Sequence, residues 1–291
     1  MNTLYEKFEK YSKYYSLCQE GREELRIYAK EICKDQNLTE TAIKLKNKIA
    51  DISYNFEFEK ELAGINTEKI NISKFGAFFT TLAIENMENF YKEKNIPEDI
   101  LYAVTEDLGV WINRHHDWFG EWGFSQYGWI KNHLRGKIFK LGRLQFEPSK
   151  IWRIPPESLG LNLCEGDPFL SVHIPRGGKI DEASCLDSFE KAKKFFPEYL
   201  NFDFKAFGCF TWLFDPDFKK LLPKESNILK FQKLFQIFNA VEDYGGLEYI
   251  FVNIKKEDIK NAPDDTNLRM AVKNHILSGG LMHSASGYRS C

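Results

Sequence analysis

The stretch Phe169-Leu170-Ser171-Val172-His173-Ile174-Pro175-Arg176-Gly177-Gly178 decides the fold. Leu170, Val172 and Ile174 alternate with Ser171 and His173, the period-two pattern of a half-buried strand. Pro175 ends that strand, and neither glycine of Arg176-Gly177-Gly178 carries a side chain to block a close approach. Asp181 then occupies an N-cap position. Leu186, Phe189, Ala192 and Phe196 recur at helical spacing up to Pro197, where the helix is expected to stop. A glycine turn feeding a helix N-terminus presents backbone N–H groups and the positive end of the helix dipole, a setting suited to phosphate. Arg176 adds a full positive charge. The unit therefore predicts a site for a phosphorylated cofactor, with an ordinary surface turn as the plain alternative.

C-terminal to this unit, Lys205 to Leu213 reads as an apolar strand and residues 226–240 as a helix capped by Ser226. Glu248 to Val252 reads as a strand, and 266–278 as a helix with Thr266 as cap and Gly279-Gly280 as stop. The closing segment is expected as an edge strand. N-terminal to the unit, residues 137–154 suggest a hairpin turning at Pro148-Ser149. The first 135 residues read as helical, with periodic segments over 4–32, 41–53, 74–94 and 97–114 and a shorter one near 125–135. The expected fold class is α/β (α+β): a helical N-terminal domain over 1–135, then a mixed β-sheet flanked by helices over 136–291.

Composition narrows the function. The 291 residues include 43% hydrophobic ones and 25 phenylalanines, enough for a large core. Forty basic and 42 acidic residues give a net charge of −2, which argues against a general nucleic-acid binder. Six scattered cysteines without a CxxC read as reduced thiols. No apolar run reaches the roughly 18–20 residues of a membrane span, so a cytoplasmic protein is expected. His115 and His116 are adjacent and would diverge by about 100° on a helix, so no metal site is expected there or elsewhere. Trp111, Trp118, Trp122 and Trp129 are expected to pack the domain junction or to line a channel for an acyl chain.

The order of elements resembles the Gcn5-related N-acetyltransferase (GNAT) fold. The phrases LGRLQFE (141–147), LSVHIPRGG (170–178), TWLFDP (211–216) and SNILKFQ (226–232) resemble bacterial two-domain acyltransferases with a helical N-terminal domain. The resemblance implies acyl transfer from a thioester to an amine. The co-substrate would be acetyl-CoA or a longer acyl-CoA, or a thioester on an acyl carrier protein. The acceptor would be an amine-bearing small molecule or peptide. It further implies that Arg176, Gly177, Gly178 and Lys179 hold the diphosphate, that the backbone at Ile174 polarises the thioester carbonyl, and that Asn227 contacts the cofactor. The family often places a proton-donating Tyr seven residues after that Asn. Leu234 stands here instead, which leaves open an inactive module that binds an acyl-CoA or a partner protein.

Two residues suit the base that takes the amine proton. His173 lies on the polar face of the strand entering the glycine turn, and an imidazole titrates near neutrality. Glu147 shares one face with Arg143 and Gln145 if residues 143–147 form a strand, as base, amine anchor or simply part of an Arg–Glu pair. Cys209 reads as a core thiol. Ser284 and Ser286 beside His283 hint at hydrolase chemistry, but without a GxSxG elbow.

Overall fold

The computed structural model describes residues 3–62, 70–252 and 254–291. It divides into two compact units, Met1–Lys140 and Leu141–Cys291. The first is built from α1 (Thr3–Tyr11), α2 (Gln19–Ile32), α3 (Gln36–Ala50), α4 (Phe58–Leu62), α5 (Ile72–Glu93), α6 (Glu98–Phe119) and α7 (Tyr127–Leu134). The span 4–32 is thus two helices rather than one, because Cys18 caps a new start by accepting the Gly21 N–H. Helix α5 is the hub, with Phe75, Phe78, Phe79, Leu82 and Ile84 all at most 1% exposed. The rings of Phe56, Phe58 and Phe79 gather around Tyr127. The tryptophans pack inside this unit as well: Trp111 and Trp129 both donate to the buried Asp107 carboxylate, and Trp122 stacks on His116.

A six-stranded mixed sheet has the order β1-β2-β3-β4-β6-β5, and from Leu141, the last residue of β1, onward it belongs to the second unit. Its strands are β1 (Phe139–Leu141), β2 (Leu144–Lys150), β3 (Pro168–His173), β4 (Ala206–Thr211), β5 (Gln236–Glu242) and β6 (His283–Ser290). The helices of that unit are α8 (Glu182–Leu200), α9 (Phe218–Leu221), α10 (Asn227–Gln232), α11 (Leu247–Ile250) and α12 (Asn267–Leu277). Strands β3 and β4 run parallel, whereas β2–β3, β4–β6 and β5–β6 are antiparallel. One face of the sheet packs on α8 through Phe146, Phe189, Phe196 and Phe207. The mixed α/β class with a helical N-terminal part holds as expected.

Five expectations inside that class do not. The hairpin turns at Gly142-Arg143, where Gly142 has φ 78°, and Pro148-Ser149 lies within β2. A glycine at the first central position of a two-residue turn matches strand twist, and β2 has run past the three-residue β1 by Pro148, so the missing N–H costs no ladder bond. Helix α8 continues through Pro197 to Leu200, since Pro197 faces solvent and water can take the carbonyl it leaves unbonded. The expected helix over 226–240 stops at Gln232 and is followed by β5. Phe231 and Phe235, four apart, imitate a helix stripe but instead close on Phe214 from either side of the bend. Residues 248–252 are not a strand; Leu247 and Ile250 turn inward on α11 to pack with Phe218, Val272 and Met282. Finally, the closing segment is not at the edge: β6 lies between β4 and β5. The strand at that edge is β5, bulged between Phe238 and Val241 with Asn239 at φ 53°, which roughens an otherwise open edge.

Candidate active site

The loop between β3 and α8 is tied down by a residue from the hairpin turn. Arg143 donates from Nε to the Lys179 carbonyl (2.9 Å), from Nη1 to the Pro175 carbonyl (2.9 Å) and from Nη2 to the Gly178 carbonyl (3.3 Å). Its own backbone N–H donates to Ser188 Oγ on α8 at 2.8 Å. Arg143 is therefore not on a strand face with Glu147; it is the clasp of the loop. In a trans peptide the N–H points opposite to the C=O. Three carbonyls drawn toward Arg143 thus turn the N–H groups of Arg176, Lys179 and Ile180 away from it. Gly177 (φ 87°) and Gly178 (φ 71°) make this path possible, since a side chain at either would strain a left-handed backbone. Arg176, Gly177, Gly178 and Lys179 are all exposed, so the loop opens to solvent. Asp181 caps α8 by accepting from the Ser184 N–H (3.0 Å) and hydroxyl (2.8 Å), bonds that lower its pKa and keep it ionised.

Next to this loop the sheet opens. The β3–β4 ladder runs from Phe169↔Ala206 to Ser171↔Gly208 and stops, although β3 continues to His173 and β4 to Thr211. Each strand keeps its outer partner: β3 holds β2 to His173↔Gln145, and β4 holds β6 to Thr211↔Ala285. The result is a wedge whose facing edges carry backbone groups outside the ladder, with Ile174 at the mouth where β3 passes into the loop.

His173 stands on one wall of the wedge. Its Nε2 is 3.2 Å from Glu147 Oε2, and the two side chains are 26% and 27% exposed. Both lie on the sheet face opposite α8, because Gln145 pairs with His173 and Glu147 follows two residues later. The two expected bases thus form one unit, and Glu147 pairs with His173 rather than with Arg143. Asn227 is the first residue of α10, which packs against α8. Leu234 lies beyond the end of α10, so a comparison seven residues along a helix has no structural meaning here. The clasp role of Arg143 was missed in the sequence; its only signal was a charged residue following a turn-forming glycine.

The serine alternative loses its geometry. Ser284 Oγ donates to Asp243 (2.6 Å), Ser286 Oγ accepts from Arg153 (3.0 Å), and the His283 N–H donates to Asp215 (2.7 Å). His283 alternates with both serines and faces the other side of the sheet. Among the described residues Asp215, Asp217 and His283 bring ligand-type atoms within 4.8 Å of one another. Asp215, however, already accepts the backbone N–H groups of Asp217 and His283, and Asp217 pairs with Lys220. These are the bonds of a loop clasp. Cys209 is buried, and burial pushes its thiol pKa far up, as a core residue requires.

Comparison with known proteins agrees with this architecture. A family model described as the GNAT-like C-terminal domain matches residues 138–289, and one described as the N-acyltransferase N-terminal domain matches residues 7–136. The chain belongs to the N-acyltransferases that join these two domains. No match was found among curated proteins. Among solved structures, an acyltransferase in complex with decanoyl-CoA is similar at 22% identity, with a TM-score of 0.68 over 86% of this chain and 75% of that one. An acyltransferase with decanoyl-CoA and teicoplanin is similar at 19% identity and TM-score 0.71, over 97% of this chain and 93% of the other. One with CoA and 10C-teicoplanin gives 19% and 0.70 over the same shares. No described helix is long and apolar enough to cross a membrane.

Proposed function

We propose that this N-acyltransferase moves an acyl group, including chains longer than acetyl, from a coenzyme A thioester to the nitrogen of a small amine-bearing acceptor. The observation that carries the reading is the wedge between β3 and β4 opening beside a loop whose N–H groups are turned outward by Arg143. In this reading the diphosphate lies on the N–H groups of residues 176–180, with Arg176 and Lys179 supplying charge. Asn227 contacts the cofactor from α10. The thioester enters the wedge, where the backbone at Ile174 polarises its carbonyl. The amine attacks that carbon, its proton passes to His173, and the carbon–sulfur bond breaks as the amide forms. Glu147, 3.2 Å from Nε2, holds the imidazole in place, and the coenzyme A thiolate leaves and takes a proton from water. The cofactor-handling part is residues 136–291, and the helical domain is residues 1–135. The acyltransferase structures similar in fold were solved with decanoyl-CoA, one of them also with teicoplanin, which supports a medium-chain donor and a small acceptor.

Calorimetry with acetyl-CoA and decanoyl-CoA, followed by mass spectrometry of product with a panel of amines, tests this. Tight binding of either thioester with weakening in Arg176→Ala is expected; equal heats for both proteins would remove the cofactor assignment.

A further inference from the structure

A second polar group shares the sheet face of His173 and Glu147. After β2 the chain crosses that face: Ile151 packs against Phe169, Ala206 and Tyr288, and Arg153 then reaches Ser286 on β6. The Arg153 guanidinium is held between two rings, 4.3 Å from the centre of Trp152 and 4.1 Å from that of Phe210, while Nη1 donates to Ser286 Oγ at 3.0 Å. Both rings are open to solvent, Trp152 at 64% and Phe210 at 46%. No carboxylate among the described residues pairs with this cation, whereas the neighbouring Glu147 is already engaged by His173. Register fixes its place. Phe210 lies two residues beyond Gly208, the last β4 partner of β3, and pairs with Ser286 on β6. His173, Phe210 and Ser286 therefore occupy one row across the opening wedge. Two paired-strand spacings, about 10 Å, are the least distance between the first and the last, because β3 and β4 have already parted at this row.

We propose that Arg153 is the anchor for a carboxylate on the acceptor, so that the acyl acceptor is an amine bearing a carboxylate at least about 10 Å from its nucleophilic nitrogen, such as a long ω-amino acid or a short peptide. This rests on the acyl-transfer reading above. The planar guanidinium is already fixed by two rings and one hydroxyl, so its remaining N–H edge meets a carboxylate with little ordering cost. The same rings leave an apolar floor for the methylene or peptide linker between the two ends of the acceptor.

The probes are 8-aminooctanoate and its methyl ester, matched in amine and length. With CoA present, calorimetry on wild type should show the acid binding about tenfold tighter than the ester, the order expected for one charge-assisted pair. With decanoyl-CoA, the acid-to-ester ratio in kcat/KM should be similar. It should collapse toward one in Arg153→Gln and be partly kept in Arg153→Lys, with decanoyl-CoA affinity within about twofold of wild type. Equal binding of acid and ester to wild type overturns the anchor without any variant, as does a ratio that survives in Arg153→Gln. A raised KM for decanoyl-CoA with the ratio intact assigns the cation to the donor and also overturns it. Tighter binding of the acid without transfer to either probe leaves the anchor standing and counts against the transfer reading alone.

Discussion

Glu147 and His173 face each other diagonally across β2 and β3, with Glu147 opposite Ser171 and His173 opposite Gln145. Diagonal neighbours on one sheet face are within reach of long side chains, and here the contact is 3.2 Å. Neither residue alone is an unusual group. Together they make an oriented imidazole at the edge of an opened sheet.

The pair predicts its own kinetics. His173→Gln should lower kcat by about 10²–10⁴ with little change in acyl-CoA affinity, the usual contribution of a positioned general base. Glu147→Gln should cost less, because the imidazole remains and only the contact that orients it is weakened. Pre-steady-state acyl transfer with decanoyl-CoA measures both. An unchanged rate in His173→Gln would move the proton elsewhere.

The loop predicts a separation of binding from chemistry. Arg143→Met removes three bonds to loop carbonyls, so the N–H groups of Arg176, Lys179 and Ile180 lose their fixed direction. The KM for acyl-CoA should rise about tenfold or more while kcat at saturation changes little. Gly178→Val should act in the same way by straining a φ of 71°. Steady-state kinetics at varied acyl-CoA separates the two parameters.

Acid stability should depend on Glu88 in the helical unit. Burial acts to raise its pKa, but hydrogen bonds from Lys10 and Tyr11 outweigh this and hold the carboxyl at about 2. A depressed folded value means the stabilisation is present above the ordinary value near 4.5 and fades as pH falls from there toward 2. Glu88→Gln should lose on the order of 2 kcal/mol at neutral pH and flatten the pH dependence in that window. Urea unfolding of both proteins from pH 7 to pH 2.5 provides the measurement.

Thiol labelling should follow burial. Cys18, Cys164 and Cys291 are exposed, whereas Cys185 and Cys209 are buried, and burial raises the Cys185 thiol to about 11. Ellman's reagent at pH 8 should modify the exposed thiols within minutes and the buried pair only in denaturant. Prompt labelling of Cys209 would contradict the packing of β4.

The strand–loop–helix unit was readable because each signal in it is local. Alternation, the glycine pair, and Asp181 as a cap depend on neighbours within a few residues, and the structure keeps β3, the left-handed glycines and the cap where those signals put them. The misplaced elements share another feature. Residues 236–242 and 247–250 carry patterns compatible with either helix or strand, and their choice follows from partners far along the chain. β5 pairs with β6, some fifty residues later, and α11 packs on Phe218 and Val272. Arg143 illustrates the same limit in the site. Its bonds reach residues 32 to 36 positions away, and nothing in its own neighbourhood distinguishes a clasp from a solvated arginine.

By itself, the sequence determined the class of the fold and the order of strand, glycine turn and capped helix over residues 169–196, because these arise from backbone preferences and from the alternation of polar and apolar side chains. Only the tertiary structure decided that β3 and β4 part after Ser171 and Gly208, that Glu147 serves His173, and that Arg143 turns the loop amides outward. Those outcomes come from register and twist across several strands, where a contact is set by the accumulated geometry of distant segments and not by any residue's own preference.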